Sequence, residues 1–268
     1  MRLEGKKALV TGASGGLGTG ICEAFAREGA DCLVGYRSDR EGAEKTAEIV
    51  KSFGRRAVIF QADTPQEDQV KAMVQAAVDD LGGLDIVVAN AGVGSCKPLM
   101  QTTAADFEKL IRVNLIGTYQ TVRYGAEPLA AQKHGKIITV SSVHGLGGTH
   151  WVSLYEATKA GIINFTRGAA FDLAEHNIQI NALAPGAVPV PKDPPPEPES
   201  DIHHAWMRYM LVPRWGTPGD IGAGAVYLAS SDSDWVTGQV ISIDGGITAG
   251  PHMPSFVHYN AEPKKYAD

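Results

Sequence analysis

Short apolar runs alternate with helical patterns along most of the chain, and this alternation constrains its fold more than any other feature. Seven runs are predicted to be strands, at residues 7–10, 31–36, 56–61, 84–89, 137–140, 178–183 and 240–243. Helices are predicted after residue 18 and at about 40–53, 66–81, 104–131, 152–175, 201–211 and 218–230. Strands and helices that alternate at this spacing imply right-handed crossovers. The chain is therefore predicted to form an α/β fold with one doubly wound parallel sheet.

The length and charge of the chain limit what it can be. Its 268 residues suit one large α/β domain. The net charge is −6 with both signs scattered, and no basic block occurs, so we expect no nucleic-acid partner. No apolar run approaches the roughly 20 residues that span a bilayer, so we expect no membrane partner.

The cysteines and the N-terminus favour an intracellular protein. Cys22, Cys32 and Cys96 lack the spacing of metal ligands, so we expect no metal site. Cys22 and Cys32 fall in a predicted helix and a predicted strand, where we interpret them as small packing residues. The first strand begins too early to leave room for a signal peptide, and a reducing cytoplasm is the simplest setting.

A glycine-rich turn directly follows the first predicted strand and reads Thr11-Gly12-Ala13-Ser14-Gly15-Gly16-Leu17-Gly18. A strand, a glycine turn and a helix in this order are the context that a dinucleotide-binding loop needs. Glycines permit the close approach of a pyrophosphate, and the N–H groups at the helix N-terminus favour its phosphates. The alternative is an ordinary glycine-rich connection, but the position after the first strand favours dinucleotide binding.

Five further residues fall at or just beyond the carboxyl ends of predicted strands. They are Arg37, Asp63, Asn90, Ser142 and Pro185. Ligands bind beyond the carboxyl ends of the strands in a doubly wound sheet. We therefore expect these residues and the glycine turn to form one site.

Tyr155 and Lys159 lie four residues apart in a predicted helix, so both side chains should reach a shared ligand from one face. A free tyrosine titrates near pH ~10, too high for a base at neutral pH. A nearby ammonium favours the phenolate and is expected to lower this pKa. Ser142 can place a hydroxyl next to the substrate oxygen. The Tyr-x-x-x-Lys pattern alone is common in helices, and it gains weight from the rest of the chain.

Together these residues resemble the classical short-chain dehydrogenase/reductase family over about residues 5 to 250. The matching marks are Thr11-Gly12-x-x-x-Gly16-x-Gly18, Asp63, Asn90-Ala91-Gly92, Asn114, Ser142, Tyr155-x-x-x-Lys159 and Pro185-Gly186. The resemblance implies a single-domain Rossmann fold with helices on both faces of a seven-stranded sheet in the order 3-2-1-4-5-6-7. It also implies an NAD(P)-dependent oxidoreductase acting on a small-molecule substrate, and a homotetramer.

The resemblance also implies roles for individual residues. Tyr155 would be the general acid/base, and Ser142 would orient the substrate oxygen. Lys159 would hold the nicotinamide ribose and lower the tyrosine pKa, and Asn114 would hold a water that links Lys159 to solvent. Asp63 would bind the adenine amino group. The expected cofactor-binding residues are Gly12, Ser14, Gly15, Gly16, Leu17, Gly18, Tyr36, Arg37, Ser38, Asp63, Thr64, Asn90, Ala91, Gly92, Tyr155, Lys159, Pro185, Gly186 and Val188.

The residues after the second strand predict the choice of cofactor. NAD-preferring enzymes of this fold usually place an Asp or Glu there, where its carboxylate accepts both ribose hydroxyls. This chain has Tyr36, Arg37 and Ser38 instead, and a guanidinium can bind a 2′-phosphate. Gly15 stands where NADP enzymes of the family often have a second basic residue. We therefore predict that NADP is preferred and NAD tolerated.

Within this family, the sequence is similar to bacterial glucose 1-dehydrogenases. The similarity rests on residues 36–38, 141–144 and 244–246 and on the later Pro254-Ser255-Phe256. It implies a sugar or polyol substrate, and a 3-oxoacyl or other ketone reductase is the alternative within the enzyme class. A catalytically silent NADP-sensing protein is the alternative of another class, and the intact catalytic residues argue against it.

Three residues are candidates for substrate contact. His144 and His150 lie in the loop before the helix of Tyr155, and Cys96 follows the fourth strand. Glu156 is interpreted only as a neighbour of Tyr155.

Two segments near the C-terminus carry separate predictions. The dehydrogenase domain is expected to span residues 1–250, with a proline-rich substrate lid at about 187–216. In this lid, Val190 takes the place of a threonine that often holds the nicotinamide carboxamide in the family, which leaves that contact to the Val188 backbone. The tail at 251–268 has apolar groups to bury and is expected at a subunit interface.

Overall fold

Seven parallel strands form one sheet in the computed structural model, which describes residues 1–191 and 194–250. The strands are β1 (Lys7–Val10), β2 (Asp31–Tyr36), β3 (Ala57–Gln61), β4 (Ile86–Ala89), β5 (Gly135–Val140), β6 (Ile178–Pro185) and β7 (Val240–Ile243). Their order is β3-β2-β1-β4-β5-β6-β7, and every neighbouring pair is parallel. This confirms the predicted sheet of a single-domain Rossmann fold.

Eight α-helices connect and cover these strands in the described part of the chain. They are α1 (Gly16–Arg27), α2 (Arg40–Ser52), α3 (Glu67–Leu81), α4 (Ala104–Leu110), α5 (Gly117–Gln132), α6 (Ser153–Ala174), α7 (Asp201–Tyr209) and α8 (Pro218–Ala229). Most of these helices begin and end within one or two residues of the predicted positions. The exception is the helix predicted at 104–131. Within the same ranges, no helix is both long and apolar enough to cross a membrane.

The two faces of the sheet carry separate hydrophobic cores, because successive side chains of a strand point to opposite faces. Ala8 and Val10 of β1 belong to one core together with Phe25 of α1. Leu9, between them, belongs to the other core together with Met73 of α3. Full burial of a side chain such as Phe25 or Leu9 contributes about 1.5–3 kcal/mol to stability. Helices therefore cover both faces, as predicted.

A π-helix at Ile111–Ile116 divides the helix predicted at 104–131 into α4 and α5. The prediction of one continuous helix is wrong here. Asn114 lies in the π-helix and is fully buried, and its side-chain amide is hydrogen-bonded to Val93 and Thr158. A buried amide must be paired, and the wider turn brings this one to its partners. Such turns are frequent at functional sites.

β6 continues to Pro185, two residues past its predicted end. Proline is tolerated there because the pairing with β5 ends at Leu183, opposite Val140. Pro185 lies opposite Ile243 of β7, and the N–H of Gly186 then donates to the Ile243 carbonyl at 3.0 Å. This pairing fixes Pro185 and Gly186 at the carboxyl edge of the sheet.

Two hydrogen bonds connect separate parts of the predicted lid with each other. The indole N–H of Trp215 donates to Nδ1 of His203 on α7 at 3.2 Å, and the N–H of Gly216 donates to the Ala187 carbonyl at 3.0 Å. The tail at 251–268 and its expected interface lie outside the described residues.

Candidate active site

The carboxyl ends of the strands line one cleft of about 710 Å³. The residues predicted to bind the cofactor that line it are Gly12, Ser14, Gly15, Gly16, Leu17, Arg37, Ser38, Asp63, Thr64, Asn90, Ala91, Gly92, Tyr155, Lys159, Pro185, Gly186 and Val188. Ser142 lines the same cleft. The structure thus brings the strand-end residues together as expected.

Gly18 and Tyr36 are the predicted cofactor residues that do not line the cleft. A β-carbon on Gly18 would lie 2.5 Å from the Gly12 carbonyl oxygen and 2.7 Å from Cα of Ala13. This glycine therefore lets α1 pack tightly behind the turn. Tyr36 is buried in the core that α1 covers. The structure shows packing roles for both residues, and their contact with the cofactor stays a prediction.

The glycine turn is held by Asn90 at the end of β4. The Asn90 side-chain amide donates to the carbonyls of Thr11 at 2.9 Å and Gly12 at 3.1 Å. In return, Oγ1 of Thr11 accepts the backbone N–H groups of Asn90 and Ala91 at 3.0 and 3.1 Å. Gly12 has φ +63°, and a β-carbon there would lie 2.8 Å from Cα of Ala91. The Asn90 side chain thus fixes the shape of the turn.

The N-terminus of α1 fits a pyrophosphate. Gly15 is its N-cap and has no side chain that could occupy the first N–H groups, and the first turn of α1 contains no acidic residue. The first N–H groups of a helix have no partner within the helix, and the helix dipole favours an anion there. The space around Gly15 is open, and a β-carbon on this residue would have no neighbouring atom within 4 Å. The residues present therefore suit the phosphates of a dinucleotide.

Ser142, Tyr155 and Lys159 meet where β5 faces the start of α6. Lys159 is buried, and its Nζ donates to the Val140 carbonyl at 2.8 Å. The same Nζ lies 5.6 Å from the centroid of the Tyr155 ring. Ser142 is buried, and its Oγ accepts the His144 N–H at 3.1 Å, which leaves the hydroxyl hydrogen for another acceptor. The predicted catalytic side chains therefore share one end of the cleft.

Burial controls the charge of Tyr155 and of Lys159. It raises the pKa of Tyr155 above its usual value, and a hydrogen bond with Ser142 opposes the rise. It also lowers the pKa of Lys159 to about 8. Desolvation sets the direction of this shift, so the pKa of Tyr155 is raised where the sequence predicted that Lys159 would lower it. A phenol that stays protonated at neutral pH is suited to donate a proton to a carbonyl oxygen.

Asn114 supports the cleft from behind. Its Oδ1 accepts the N–H of Val93 at 2.8 Å, and its Nδ2 donates to the Val93 carbonyl at 2.9 Å and to Oγ1 of Thr158 at 3.1 Å. Both amide hydrogens are therefore used, and the predicted water contact stays a prediction. A β-carbon on Gly92 would lie 3.3 Å from Oδ1 of Asn114 and 3.5 Å from Nζ of Lys159. Glycine at this position keeps the space near both atoms open.

The candidate substrate residues lie at different distances from the catalytic group. The His144 ring is edge-on to the Tyr155 ring, with centroids 6.0 Å apart. None of the three candidates lines the cleft, and His150 and Cys96 are also exposed. Val190 does line it, and its Cγ1 lies 3.1 Å from where a β-carbon on Gly16 would be. The lid therefore reaches the glycine turn through an apolar side chain.

Glu156 is more than a neighbour of Tyr155. Its Oε1 accepts the N–H of Thr149 at 2.7 Å and lies 3.5 Å from Nδ1 of His144. Both partners belong to an irregular loop, so no periodic pattern signalled them; a carboxylate directly after the predicted catalytic tyrosine was the one available hint. The sequence interpretation also missed several residues that line the cleft, among them Gly35, Asp39, Met73, Val113 and Pro191.

Known proteins resemble this chain over most of its length. The family model described as Enoyl-(Acyl carrier protein) reductase matches residues 12–248. The 3beta-hydroxysteroid dehydrogenase 1 of Eggerthella lenta is 35% identical over 250 residues, which cover 93% of this chain and 96% of that protein. The 3-oxoacyl-[acyl-carrier-protein] reductase FabG of Staphylococcus aureus is 35% identical over 242 residues, which cover 90% and 98%.

Two similar solved structures contain different nicotinamide cofactors. A short-chain dehydrogenase from Burkholderia cenocepacia in complex with NADP has a TM-score of 0.84 and 30% identity, covering 92% of this chain and 100% of that one. Carveol dehydrogenase from Mycobacterium avium in complex with NAD has a TM-score of 0.86 and 30% identity, covering 93% and 99%. The chain belongs to the classical short-chain dehydrogenase/reductase family of NAD(P)-dependent oxidoreductases.

Proposed function

We propose that this enzyme interconverts an alcohol and a carbonyl group of a sugar or polyol, with NADP as the preferred cofactor. The observation that carries the proposal is one cleft that holds Ser142, Tyr155 and Lys159 together with a glycine turn suited to phosphates. In oxidation, bound NADP⁺ would accept the hydride of the carbinol carbon and the hydroxyl would lose a proton, which balances as carbonyl, NADPH and H⁺. The sugar or polyol class rests on the similarity to bacterial glucose 1-dehydrogenases.

Tyr155 transfers the proton at the reacting oxygen. In reduction, its protonated phenol donates to the carbonyl oxygen, and the Ser142 hydroxyl hydrogen-bonds the same oxygen. Lys159 carries a positive charge below about pH 8 and would hold the nicotinamide ribose. The bound nicotinamide would supply or accept the hydride.

Two other functions compete with this proposal. A 3-oxoacyl reductase is favoured by the 35% identity to FabG of Staphylococcus aureus. A cofactor-binding protein without turnover is the candidate of another class, and the complete set of catalytic side chains opposes it.

One substrate screen separates the three candidates. Sugars, polyols, 3-oxoacyl thioesters and simple ketones are assayed with both cofactors at the reduced-nicotinamide absorbance band. We expect the highest kcat/KM with a sugar or polyol and NADP. The highest value with a 3-oxoacyl thioester would favour the reductase instead. Tight nucleotide binding without turnover on any compound would favour the binding protein.

Arg37 carries the proposed preference for NADP. It lines the cleft at the end of β2, and no carboxylate in residues 1–191 and 194–250 forms an ion pair with it. Asp39 also lines the cleft, but its carboxylate caps α2 by accepting the Gly42 N–H at 3.0 Å. A charge-assisted hydrogen bond contributes roughly 1.5–3 kcal/mol, so Arg37→Ala should lower the NADP/NAD ratio of kcat/KM values about tenfold to a hundredfold.

Arg27→Ala is the matched control for this measurement. Arg27 is exposed at the end of α1 and pairs with Glu23 of the same helix at 2.6 Å. Arg27→Ala should leave the NADP/NAD ratio of kcat/KM values unchanged. A wild type that prefers NAD, or a ratio that Arg37→Ala does not move, would contradict the assignment.

We also propose a cytoplasmic homotetramer. Phe171 of α6 and Trp235 expose 84% and 100% of their surface, which leaves large apolar groups available for burial between subunits. A native mass of four times the 28.4 kDa chain is the expected result of light scattering. A monomeric mass would contradict the proposal.

A further inference from the structure

We infer that Thr158 is a positioning residue whose hydroxyl fixes the place of Tyr155 in the cleft and so controls the rate of proton transfer. This inference rests on the proposed oxidoreductase function and adds to it a residue to which the sequence interpretation gave no role. Thr158 does not itself line the cleft. It therefore acts on the reaction through Tyr155.

The Thr158 hydroxyl is used completely in two hydrogen bonds. The residue is 1% exposed, and its Oγ1 lies 2.7 Å from the Tyr155 carbonyl oxygen and 3.1 Å from Nδ2 of Asn114. An amide nitrogen can only donate, so Oγ1 accepts from Asn114 and its single hydrogen goes to the Tyr155 carbonyl. Thr158 thus joins the Asn114 side chain to the backbone of the proposed proton donor.

Asn114 continues this connection to another part of the cleft lining. Its Oδ1 accepts the Val93 N–H at 2.8 Å and its Nδ2 donates to the Val93 carbonyl at 2.9 Å. Val93 lines the cleft in the loop after β4, and Tyr155 lines it from α6. One chain of hydrogen bonds, from Val93 through Asn114 and Thr158, therefore sets where Tyr155 lies relative to this loop.

α6 and the π-helix lie close together beside these bonds. Gly161 follows Thr158 on the same face of α6, because residues three apart in a helix share a face. A β-carbon on Gly161 would lie 3.3 Å from Cδ1 of Leu115, the neighbour of Asn114 in the π-helix. The close packing keeps the Thr158 hydroxyl and the Asn114 amide within hydrogen-bond distance.

The first turn of α6, which contains Tyr155, has no capping side chain of its own. Its N-cap is Val152, which makes no side-chain hydrogen bond, whereas α2, α4, α7 and α8 each have a capping side chain. The first N–H groups of a helix lack partners within the helix, and a turn without a cap is less stable. The bonds through Thr158 therefore hold a turn that its own N-terminus holds weakly.

The alternative is that Thr158 only ties α6 to the π-helix. Loss of a purely structural tie would lower the melting temperature, and the molecules that remain folded would keep their turnover. Loss of a positioning residue would instead slow proton transfer in the folded enzyme. The value of kcat well below the melting temperature therefore separates the two roles.

Thr158→Val tests the inference because valine keeps the shape of the side chain and removes only the hydroxyl. A misplacement of roughly 1 Å can slow a reaction about a hundredfold, so we expect kcat to fall about tenfold to a hundredfold. Slower proton transfer should also raise the ratio of kcat values in H₂O and D₂O. The KM for NADP should not change, because Lys159 and the glycine turn are retained. Thr158→Ser keeps the hydroxyl and should restore both kcat and the isotope ratio.

Thr166→Val is the matched control on the same helix. Thr166 is fully buried, and its hydroxyl also has two partners, the Ile162 carbonyl at 2.9 Å and Oγ1 of Thr139 at 2.7 Å. It lies about 12 Å further along α6 than Thr158. Its replacement should lower the melting temperature as well, but it should leave kcat and the isotope ratio unchanged.

Two kinds of measurement are combined. Kinetics are followed with NADP⁺ and D-glucose and with NADPH and 2,3-butanedione. Crystal structures of the wild type and Thr158→Val need no turnover, and the distance from Oη of Tyr155 to Oγ of Ser142 should be longer in the variant. If Thr158→Val does not fold, Thr158→Cys takes its place, since a thiol is only a weak donor and acceptor.

The outcomes decide the inference separately from the proposed function. The inference is overturned if Thr158→Val keeps the kcat of Thr166→Val, if Thr158→Ser does not restore turnover, or if Tyr155 keeps its place in the crystal structure of Thr158→Val. A wild type that binds NADP but turns over neither probe contradicts the proposed function. The two crystal structures then decide the positioning role of Thr158 by themselves.

Discussion

Replacing Tyr155 by phenylalanine is expected to lower kcat by about 10²–10⁴-fold, the range typical of general acid–base catalysis. Phenylalanine keeps the ring and its edge contact with His144 and removes only the hydroxyl that donates the proton. Cofactor affinity should be retained, because Lys159 and the glycine turn are unchanged. Steady-state kinetics measure the first effect, and a titration with the nucleotide measures the second.

Tyr227→Phe is the matched control for this substitution. Tyr227 lies on α8, is 36% exposed and does not line the cleft. Its variant should keep wild-type turnover. Near-normal turnover in Tyr155→Phe would reject the proton-transfer role, and a loss of nucleotide affinity would show that the phenol binds the cofactor.

Replacing Lys159 by methionine should remove most activity, weaken cofactor binding and yet stabilise the fold. Burial lowers the pKa of Lys159 from 10.5 to about 8, so holding its ammonium in the folded protein costs about 3 kcal/mol at neutral pH. Methionine fills a similar volume without charge. The variant loses the bond to the Val140 carbonyl, which offsets about 1 kcal/mol of the gain. Its Tm should therefore rise by several degrees.

The stabilisation should depend on pH in a defined window. Below about pH 8, Lys159 is charged in both the folded and the unfolded chain, and the full penalty applies. As the pH rises from 8 towards 10.5, the folded chain loses the proton first and the penalty disappears. The advantage of Lys159→Met should therefore shrink over this window. Urea unfolding at pH 7 and pH 10 measures it.

Lys45→Met serves as the control for the pH series. Lys45 is exposed on α2 and pairs with Glu41 at 2.6 Å. The difference in unfolding free energy between Lys45→Met and the wild type should not change between pH 8 and pH 10.5. If Lys159→Met were less stable than the wild type at pH 7, the unfavourable burial of the ammonium would be refuted.

Local patterns were sufficient to predict the sheet. Each strand is a short apolar run, and the turn after β1 has glycine where φ is positive, as at Gly12 and Gly16. Because ligands bind beyond the carboxyl ends of the strands in such a sheet, the sequence also predicted that Arg37, Asp63 and Ser142 share one cleft. These features depend on neighbours in the sequence and on a general property of parallel sheets.

Features that depend on distant partners could not be predicted in this way. The π-helix forms around Asn114, whose amide is paired with residues 21 and 44 positions away. The raised pKa of Tyr155 comes from burial by the assembled fold, which opposes the expectation drawn from Lys159 alone. Glu156 gains its partners only when the loop before α6 folds back over the helix.

The π-helix at Ile111–Ile116 lets the chain hold one residue more than a regular helix would without changing which face of α5 is buried. Each residue of an α-helix advances the chain by about 100° around the axis, so an extra residue in a regular helix would turn every later side chain by that angle. The wide turn takes up the extra residue locally, and Val122 and Leu129 stay in the core. Deleting one residue at this turn should therefore restore a regular helix and keep the buried face of α5, whereas the same deletion within α5 would turn the rest of that helix by about 100°.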